Sequence, residues 1–100
     1  MIIELLKFKV PPQHQEEFIL KDREIWTTAL ANYPGFINKE VWLNPDDDTE
    51  LIFIIRWASK EDWESIPKED LVLIENNFNQ TIGQNYPITE TAEYQVFKTT

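Results

Sequence analysis

The fold of this chain is decided by the stretch LIFIIRWASKEDW, residues 51–63. Its first eight residues alternate between the two sides of an extended strand, and both sides are apolar except at Arg56. Ser59 then stands three residues before Asp62, the spacing of a capping box with Asp in place of the usual Glu or Gln, which predicts a short helix from Lys60. A strand that is apolar on both sides must be covered on both sides, which favours helices on one and a second subunit on the other.

The residues before this stretch predict a helix followed by a hairpin. Apolar side chains recur at helical spacing from Gln13 to Tyr33, and Pro34-Gly35 ends that helix. A second strand follows at Phe36–Leu43, and the polar segment Asn44–Glu50 turns the chain back into the third strand. The helical stripe consists of Phe18, Ile25, Ala29 and Tyr33 on one side, with Ile19, Trp26 and Leu30 beside them.

The two ends of the chain supply the remaining elements. The first strand runs from Ile2 to Val10, where two prolines without amide protons end the ladder. A second long helix carries an apolar stripe and ends at Gly83, a residue suited to a C-terminal cap. A last extended segment follows Pro87. The members of the apolar stripe are Leu71, Ile74, Phe78 and Ile82.

The order of these elements, βαββαβ with antiparallel pairing, is typical of the α+β ferredoxin-like sandwich. We therefore predict a single domain over residues 1–100, with a four-stranded antiparallel sheet and helices on one face. Ile52, Ile54 and Ala58 would then lie on the bare face, as an apolar patch that soluble monomers seldom expose. We predict a symmetric homodimer formed through this face.

The charge of the chain excludes two classes of partner. It carries 18 acidic residues against 9 basic ones, for a formal net charge of -9. Nucleic-acid backbones and anionic lipid surfaces bind basic patches that this composition does not supply, so we expect neither nucleic-acid nor membrane binding. No apolar run approaches the ~20 residues of a membrane span, and the start at Met1 lacks a basic segment before a long apolar core, so we expect a cytoplasmic protein.

The scarcity of some residue types excludes several kinds of chemistry. The chain has no cysteine, one histidine (His14) and two glycines. Thiolate nucleophiles, zinc ribbons and iron–sulfur clusters are thereby excluded, as are the glycine-rich loops that cradle nucleotides. His14 lies among polar residues at the start of a helix, where a surface position is expected. We predict no metal site and no cofactor.

Three parts of the chain carry a family resemblance: YPGF at residues 33–36, the hairpin that follows, and IIRWASKEDW at residues 54–63. Together they resemble the antibiotic biosynthesis monooxygenase (ABM) type of dimeric α/β barrel. The resemblance implies a ferredoxin-like fold, a homodimer and a ligand site between helices and sheet. Residues 21–27, 39–42 and 93–96 are similar, more narrowly, to a small cyanobacterial group within that superfamily.

The superfamily includes cofactor-independent quinone-forming oxygenases, haem-degrading oxygenases, isomerases and proteins without known activity. Its haem-degrading members use an Asn on the first strand, a Trp at the end of the third strand and a His on the second long helix. Only the Trp carries over, as Trp57, because the first strand contains no Asn and the helix position of the His is near Asn76 or Asn77. An amide is a poor axial ligand for iron, so haem binding is not expected.

Asp22 is the candidate catalytic residue. Helical spacing places its side chain on the apolar stripe near Phe18 and Trp26, where a dry, unpaired carboxylate is unfavourable by several kcal/mol. We interpret it as a base with a raised pKa that faces an aromatic cavity. The alternatives are a salt bridge, with Arg56 or with a lysine, and simple exposure near the middle of the helix.

The candidate ligand-binding residues are Trp26, Trp57, Asn76 and Asn77. The two indoles would form flat walls for an aromatic ligand, and the alternative for each is a place in the core. The amides would hydrogen-bond a substrate carbonyl if they face the cleft, and would otherwise occupy an exposed flank of the helix. Arg56 interrupts an apolar strand and is expected to pair with a carboxylate across the sheet or the dimer.

Two functions are compatible with this pattern. The first is a dimeric ABM-like protein that binds a small aromatic metabolite and could act on it as a cofactor-independent monooxygenase. The second is a non-enzymatic dimeric binding or assembly module, because a fold does not by itself transfer chemistry. An open cleft lined by Asp22 and Trp57 would favour the first, and a helix–sheet interface packed solid with side chains would favour the second.

Overall fold

The computed structural model describes residues 1–100 and shows a four-stranded antiparallel sheet with helices packed on one face. This arrangement confirms the predicted α+β ferredoxin-like fold. The elements are β1 (Ile2–Lys9), α1 (Pro12–Asp22), a π-helical turn (Arg23–Thr27), α2 (Thr28–Leu30), β2 (Phe36–Asn44), β3 (Asp47–Trp57), α3 (Lys60–Glu64), α4 (Lys68–Ile82) and β4 (Ile88–Gln95).

The strands lie in the order β2-β3-β1-β4, so that the apolar strand β3 is central. Ile2 is opposite Trp57 and Leu6 is opposite Phe53, which places all four side chains on the same face of the sheet. Helices cover this face: Phe53 stacks on Phe18 of α1, with 5.7 Å between ring centroids, and it is 1% exposed. The core therefore lies between the helices and the β1–β3 pair.

The first long helix contains a widened turn that its sequence pattern did not reveal. The amide of Thr28 bonds to the carbonyl of Arg23, five residues earlier, and the Thr28 hydroxyl donates to the same carbonyl at 3.0 Å. The buried residues Phe18, Asp22 and Leu30 accordingly lie four and eight residues apart on one side of the helix, because the wider turn compensates for the rotation that four-residue steps add. The predicted stripe positions Ile25, Ala29 and Tyr33 are half-buried, and the helix ends at Leu30 rather than at Tyr33.

The hairpin between β2 and β3 is tighter than predicted. Its polar segment was expected to be a loop over residues 44–50, yet Asn44 is already paired with Asp47 across the ladder. The Asn44 side-chain carbonyl accepts the amide of Asp46 at 2.9 Å, and the Asp47 carboxylate accepts the amide of Thr49 at 3.0 Å. Local side-chain acceptors thus hold the two-residue turn and let β3 begin early.

The face of the sheet opposite the helices is partly apolar. Ile52 is half-buried, while Trp42 and Tyr94 are 46% and 56% exposed. Ile54, which was predicted to be bare on this face, is only 2% exposed in the single chain. That prediction is wrong because Ile54 lies on a central strand between the side chains of its register partners, Leu5 on β1 and a glutamate on β2.

Candidate functional site

A cavity of about 450 Å³ opens between the sheet and the helices. Its size is within the roughly 300–1,000 Å³ that small-molecule sites span. Of the 19 residues that line it, 14 are hydrophobic. The polar ones are Glu4, Asp22, Lys39, Glu75 and Asn76. An apolar cavity with a few polar groups is the usual form of a ligand site.

Alternation along the strands brings two of these polar groups to the cavity floor. Glu4 lies between Ile2 and Leu6 on β1, in the row of side chains that faces the helices. Lys39 of β2 is opposite Ile55 of β3 and therefore faces the same way. A register change of one residue would turn either side chain to the other face of the sheet.

Asp22 and Lys39 form a buried ion pair across the cavity. Their side chains are only 7% and 5% exposed, and the Lys39 ammonium donates to the Asp22 carboxylate. Lys39 Nζ also lies 4.7 Å from the centre of the Phe53 ring, within reach of a cation–π contact. Desolvation raises the pKa of Asp22, although the Lys39 charge opposes the rise, and desolvation lowers the pKa of Lys39.

A second carboxylate, that of Glu4, is half-buried. Its Oε1 accepts the indole N–H of Trp57 at 3.3 Å. Burial raises the pKa of Glu4, while the Trp57 hydrogen bond and the Lys39 charge lower it to a smaller extent. Glu4 also acts through its charge on Lys39, whose pKa it helps to hold up. The two carboxylates of Glu4 and Asp22 are therefore both coupled electrostatically to the one ammonium of Lys39.

These positions decide between the alternatives for Asp22 and Arg56. Asp22 lies on the cavity wall and is paired with a lysine, not with Arg56. Arg56 instead pairs across the sheet with Glu40 at 2.8 Å and with the Asn38 side chain at 3.2 Å, on the face away from the cavity. The predicted pairing of Arg56 with a carboxylate across the sheet agrees with this geometry.

The structure brings three of the four candidate ligand-binding residues to the cavity. Trp26 and Trp57 line it, although Trp57 is 0% exposed and is also part of the core. Asn76 of α4 lines it as well, whereas Asn77 does not, since neighbouring residues on a helix face different directions. Trp63 is a further wall of the cavity.

Sequence reasoning missed Glu4 and Lys39. The signal for Glu4 was present, because it is the polar member of the otherwise apolar row Ile2, Leu6 and Phe8 on β1. Lys39 had no such signal, since its strand alternates only weakly and the partner carboxylate belongs to a distant helix. An Asp on an apolar helical stripe predicts that a cationic or hydrogen-bonding partner exists, but it does not identify the strand that carries the partner.

The residues of the cavity do not suit a haem or a metal ion. Its wall contains no His, Cys, Tyr or Met, the usual axial ligands of haem iron. His14 lies instead beside Tyr86, with 6.4 Å between the ring centroids. No group of three or more His, Cys, Asp or Glu side chains is arranged to hold a metal ion. None of the helices is long and apolar enough to cross a membrane.

The fold and the cavity define a small α+β protein with a ligand-sized pocket between helices and sheet. The model of the antibiotic biosynthesis monooxygenase family matches residues 1–69, and the chain belongs to that family. No curated protein sequence matches it. Its narrower resemblance to a cyanobacterial group stays a prediction.

Solved structures share the fold over nearly the whole chain. One is SnoaB, a cofactor-independent oxygenase from Streptomyces nogalater, with 14% identity, a TM-score of 0.66, and coverage of 98% of this chain and 94% of SnoaB. A conserved protein from Methanosarcina mazei has 17% identity and a TM-score of 0.65, over 94% of this chain and 90% of its own. Rv0793 from Mycobacterium tuberculosis has 13% identity and a TM-score of 0.64, over 98% and 96%. At these identities the likeness is one of fold.

Proposed function

We propose that this protein binds a small aromatic metabolite in the cavity between helices and sheet, and that it oxidises this ligand with O₂ without a cofactor. The observation that carries the proposal is the open cavity of about 450 Å³ whose apolar walls enclose a buried Asp22–Lys39 pair. An assembly module would not require such a cavity, because a close-packed interface between helices and sheet would be more stable. The ligand-binding function is therefore favoured over the non-enzymatic module.

The chemistry that we propose is the conversion of a hydroxyaromatic to a quinone. One oxygen atom of O₂ enters the ring, the other leaves as water, and the substrate supplies all four electrons and both hydrogens. Direct reaction with O₂ requires an electron-rich anion of the substrate, so the protein has to supply a base and a group that stabilises the developing oxyanion.

The residues of the cavity match these two requirements. Asp22 is the proposed base, because burial raises its pKa and so strengthens its affinity for a proton. The Lys39 ammonium beside it would stabilise an oxyanion, since a fixed charge acts strongly in an apolar site. Trp26 and Trp57 are the proposed stacking walls, and the Asn76 amide is a polar contact at the α4 side of the cavity.

We also propose that the protein is a homodimer formed through the sheet face opposite the cavity. Trp42 and Tyr94 lie there half-exposed, and Trp42 is the register partner of the apolar Ile52. Large aromatic side chains on one face are typical of an interface core. In this arrangement the two cavities would lie on the outer sides of the dimer, each covered by its own helices.

The test is oxygen uptake with a panel of naphthols and anthrones. We expect one quinone per O₂ consumed and no hydrogen peroxide, with a fall in kcat of about 10²- to 10⁴-fold in Asp22→Asn. Asp48→Asn, at the exposed hairpin, is the matched control and should retain full activity. Binding of the panel without oxygen uptake would contradict the oxygenase and leave a binding protein. An absence of binding would contradict the proposal as a whole.

A further inference from the structure

Glu4 is a half-buried carboxylate without a cation of its own. The ammonium of Lys39, the one basic group that lines the cavity, is already bonded to Asp22. The hydrogen bond that Glu4 accepts comes from the Trp57 indole and goes to Oε1. No buried side-chain nitrogen or oxygen lacks a partner, so Oε2, which accepts no bond from the protein, is accessible, and Glu4 lines the cavity. A hydrogen-bond acceptor thus faces the space where a ligand would lie.

The charges around this space are unequal. Three carboxylates line it, those of Glu4, Asp22 and Glu75, against the single ammonium of Lys39. Apart from Asn76 the remaining wall is apolar, and charges interact more strongly there than in water. The chain as a whole has a formal net charge of -9, which adds to the same effect at longer range. An aromatic carboxylate that enters this cavity as an anion meets net repulsion, because the one ammonium is already bonded to Asp22.

We propose that Glu4 is the ligand-selecting residue of the cavity: its Oε2 accepts a hydrogen bond from the hydroxyl of an uncharged aromatic ligand, and its charge excludes aromatic carboxylates. This inference rests on the proposed function in one respect, that the cavity receives an aromatic ligand. It names a residue and a selection rule that the proposed oxidation does not require.

Trp57 is the positioning residue for Glu4. Its indole is 0% exposed and is held by the core, so the N–H that it donates fixes one oxygen of the carboxylate and leaves the other toward the cavity. The indole N–H also offers a local readout, because a ligand bonded to Glu4 changes the electron density on the hydrogen-bonded carboxylate. The indole resonance of Trp57 should therefore move when Glu4 is engaged.

The experiment titrates the protein at pH 7 with three probes of similar shape: 1-naphthol, 1-naphthoate and 1-methoxynaphthalene. Affinities are measured by calorimetry, and the four indole N–H resonances are followed by NMR, with Trp57→Phe to identify that of Trp57. We expect 1-naphthol to bind on the order of tenfold more tightly than each of the other two, because one lacks the donor and the other is an anion. The Trp57 resonance should shift with 1-naphthol.

Glu4→Gln removes the charge and keeps an acceptor oxygen. In this variant we expect naphthoate to gain on the order of tenfold in affinity relative to naphthol, since one repelling charge is removed. Glu93→Gln is the matched control: Glu93 is the register partner of Glu4 on β4, but it pairs with Lys60 at 3.2 Å and does not line the cavity. It should leave the preference unchanged.

The outcomes separate this inference from the proposed function. Naphthoate binding as tightly as naphthol in the natural protein would overturn the selection rule, and equal binding of the methoxy compound would overturn the hydrogen bond. Both results stand even if Glu4→Gln fails to fold. Oxygen uptake that persists with equal binding of all probes would refute this inference alone. If no probe binds, both the proposed ligand binding and this inference are refuted. Selective binding without oxygen uptake refutes only the oxygenase.

Discussion

Lys39 is the residue on which the electrostatics of the cavity depend. It is nearly buried, and it neutralises Asp22 by direct contact and Glu4 by its charge at longer range. Two carboxylates in an apolar wall would repel each other without it. A buried pair of this kind contributes little net stability compared with apolar residues, yet removal of one partner leaves an uncompensated charge. The pair therefore matters more for the site than for the fold.

Lys39→Met is expected to lower the free energy of unfolding by about 3–5 kcal/mol, because it leaves the Asp22 carboxylate buried without its partner. Urea denaturation at pH 7 measures the change. The matched control is Lys21→Met, which removes the exposed Lys21–Glu24 pair beside Asp22 in the sequence and should change stability by less than about 1 kcal/mol. Equal effects of the two substitutions would show that the Asp22–Lys39 pair is not buried in solution.

The raised pKa of Glu4 predicts a pH dependence of stability. The folded protein holds the Glu4 proton to higher pH than the unfolded chain, whose value is the ordinary 4.5. The contribution of Glu4 to the free energy of unfolding is therefore complete below about pH 4.5. It is lost as the pH rises through the raised pKa of the folded protein. The difference in unfolding free energy between the natural protein and Glu4→Gln should fall as the pH rises across this window.

Glu40 provides a control with the opposite sign. The hydrogen bond from Arg56 lowers its pKa below the ordinary 4.5 in the folded protein. The contribution of Glu40 to the free energy of unfolding is therefore present above pH 4.5 and is lost as the pH falls through the lowered pKa. Urea denaturation from pH 3 to pH 8, with Glu40→Gln in parallel, should give difference curves of opposite slope. Parallel curves would contradict the burial of Glu4.

At the scale of the elements, the loop between α2 and β2 sets the position of α3. Gly35 has a φ of 86°, in the left-handed region, and any Cβ at this position would overlap the side chain of Asp62 in α3. The Ser59 hydroxyl accepts the amide of Asp62 at 3.1 Å, as the predicted N-cap requires. The turn before β2 and the helix after β3 thus fit together only because residue 35 has no side chain.

Gly35→Ala is expected to destabilise the protein by more than about 2 kcal/mol, because it combines a left-handed backbone with a steric clash. Gly83→Ala is the matched control, since its φ of 71° is also left-handed but nothing lies within 4 Å of the added Cβ. This control should lose only about 1–2 kcal/mol. Thermal and urea unfolding of both variants measures the difference, and similar losses would refute the contact between Gly35 and α3.

At the scale of the whole molecule, the sheet has two unlike faces. One face carries the helices, the core and the cavity, and the other carries cross-strand ion pairs such as Arg56–Glu40 together with exposed aromatic side chains. The central strand β3 supplies apolar residues to both faces. Trp42 and Tyr94 of the open face stay about half-exposed in the single chain, which is the reason for the proposed dimer.

The natural protein is expected to elute as a dimer, with light scattering at micromolar concentration as the measurement. Trp42→Asp should convert the dimer to a monomer, because the substitution would bury a charge in the interface between the two sheets. Leu73→Asp is the control: Leu73 lies on α4 and is 67% exposed, so its replacement should leave the dimer intact. A monomeric natural protein would contradict the proposed assembly.

The sequence predicted the fold well because its signals are local. Alternation on β3, the Ser59 cap and the Gly83 stop each depend on residues a few positions apart. It also predicted that Asp22 lies on an apolar face. It did not predict the π-helical turn or the burial of Ile54, because the first depends on the packing of a whole helix and the second on the residues of two neighbouring strands.

The order of elements, the apolar central strand and the lone Asp on a helical stripe were determined by the sequence itself, since periodicity and caps act within a few residues of the chain. Only the tertiary structure decided that Lys39, 17 residues beyond Asp22, is its partner, and that Glu4 and Trp57, 53 residues apart, share a hydrogen bond. The register between strands brings these residues together, and register is a property of the folded sheet rather than of any one segment.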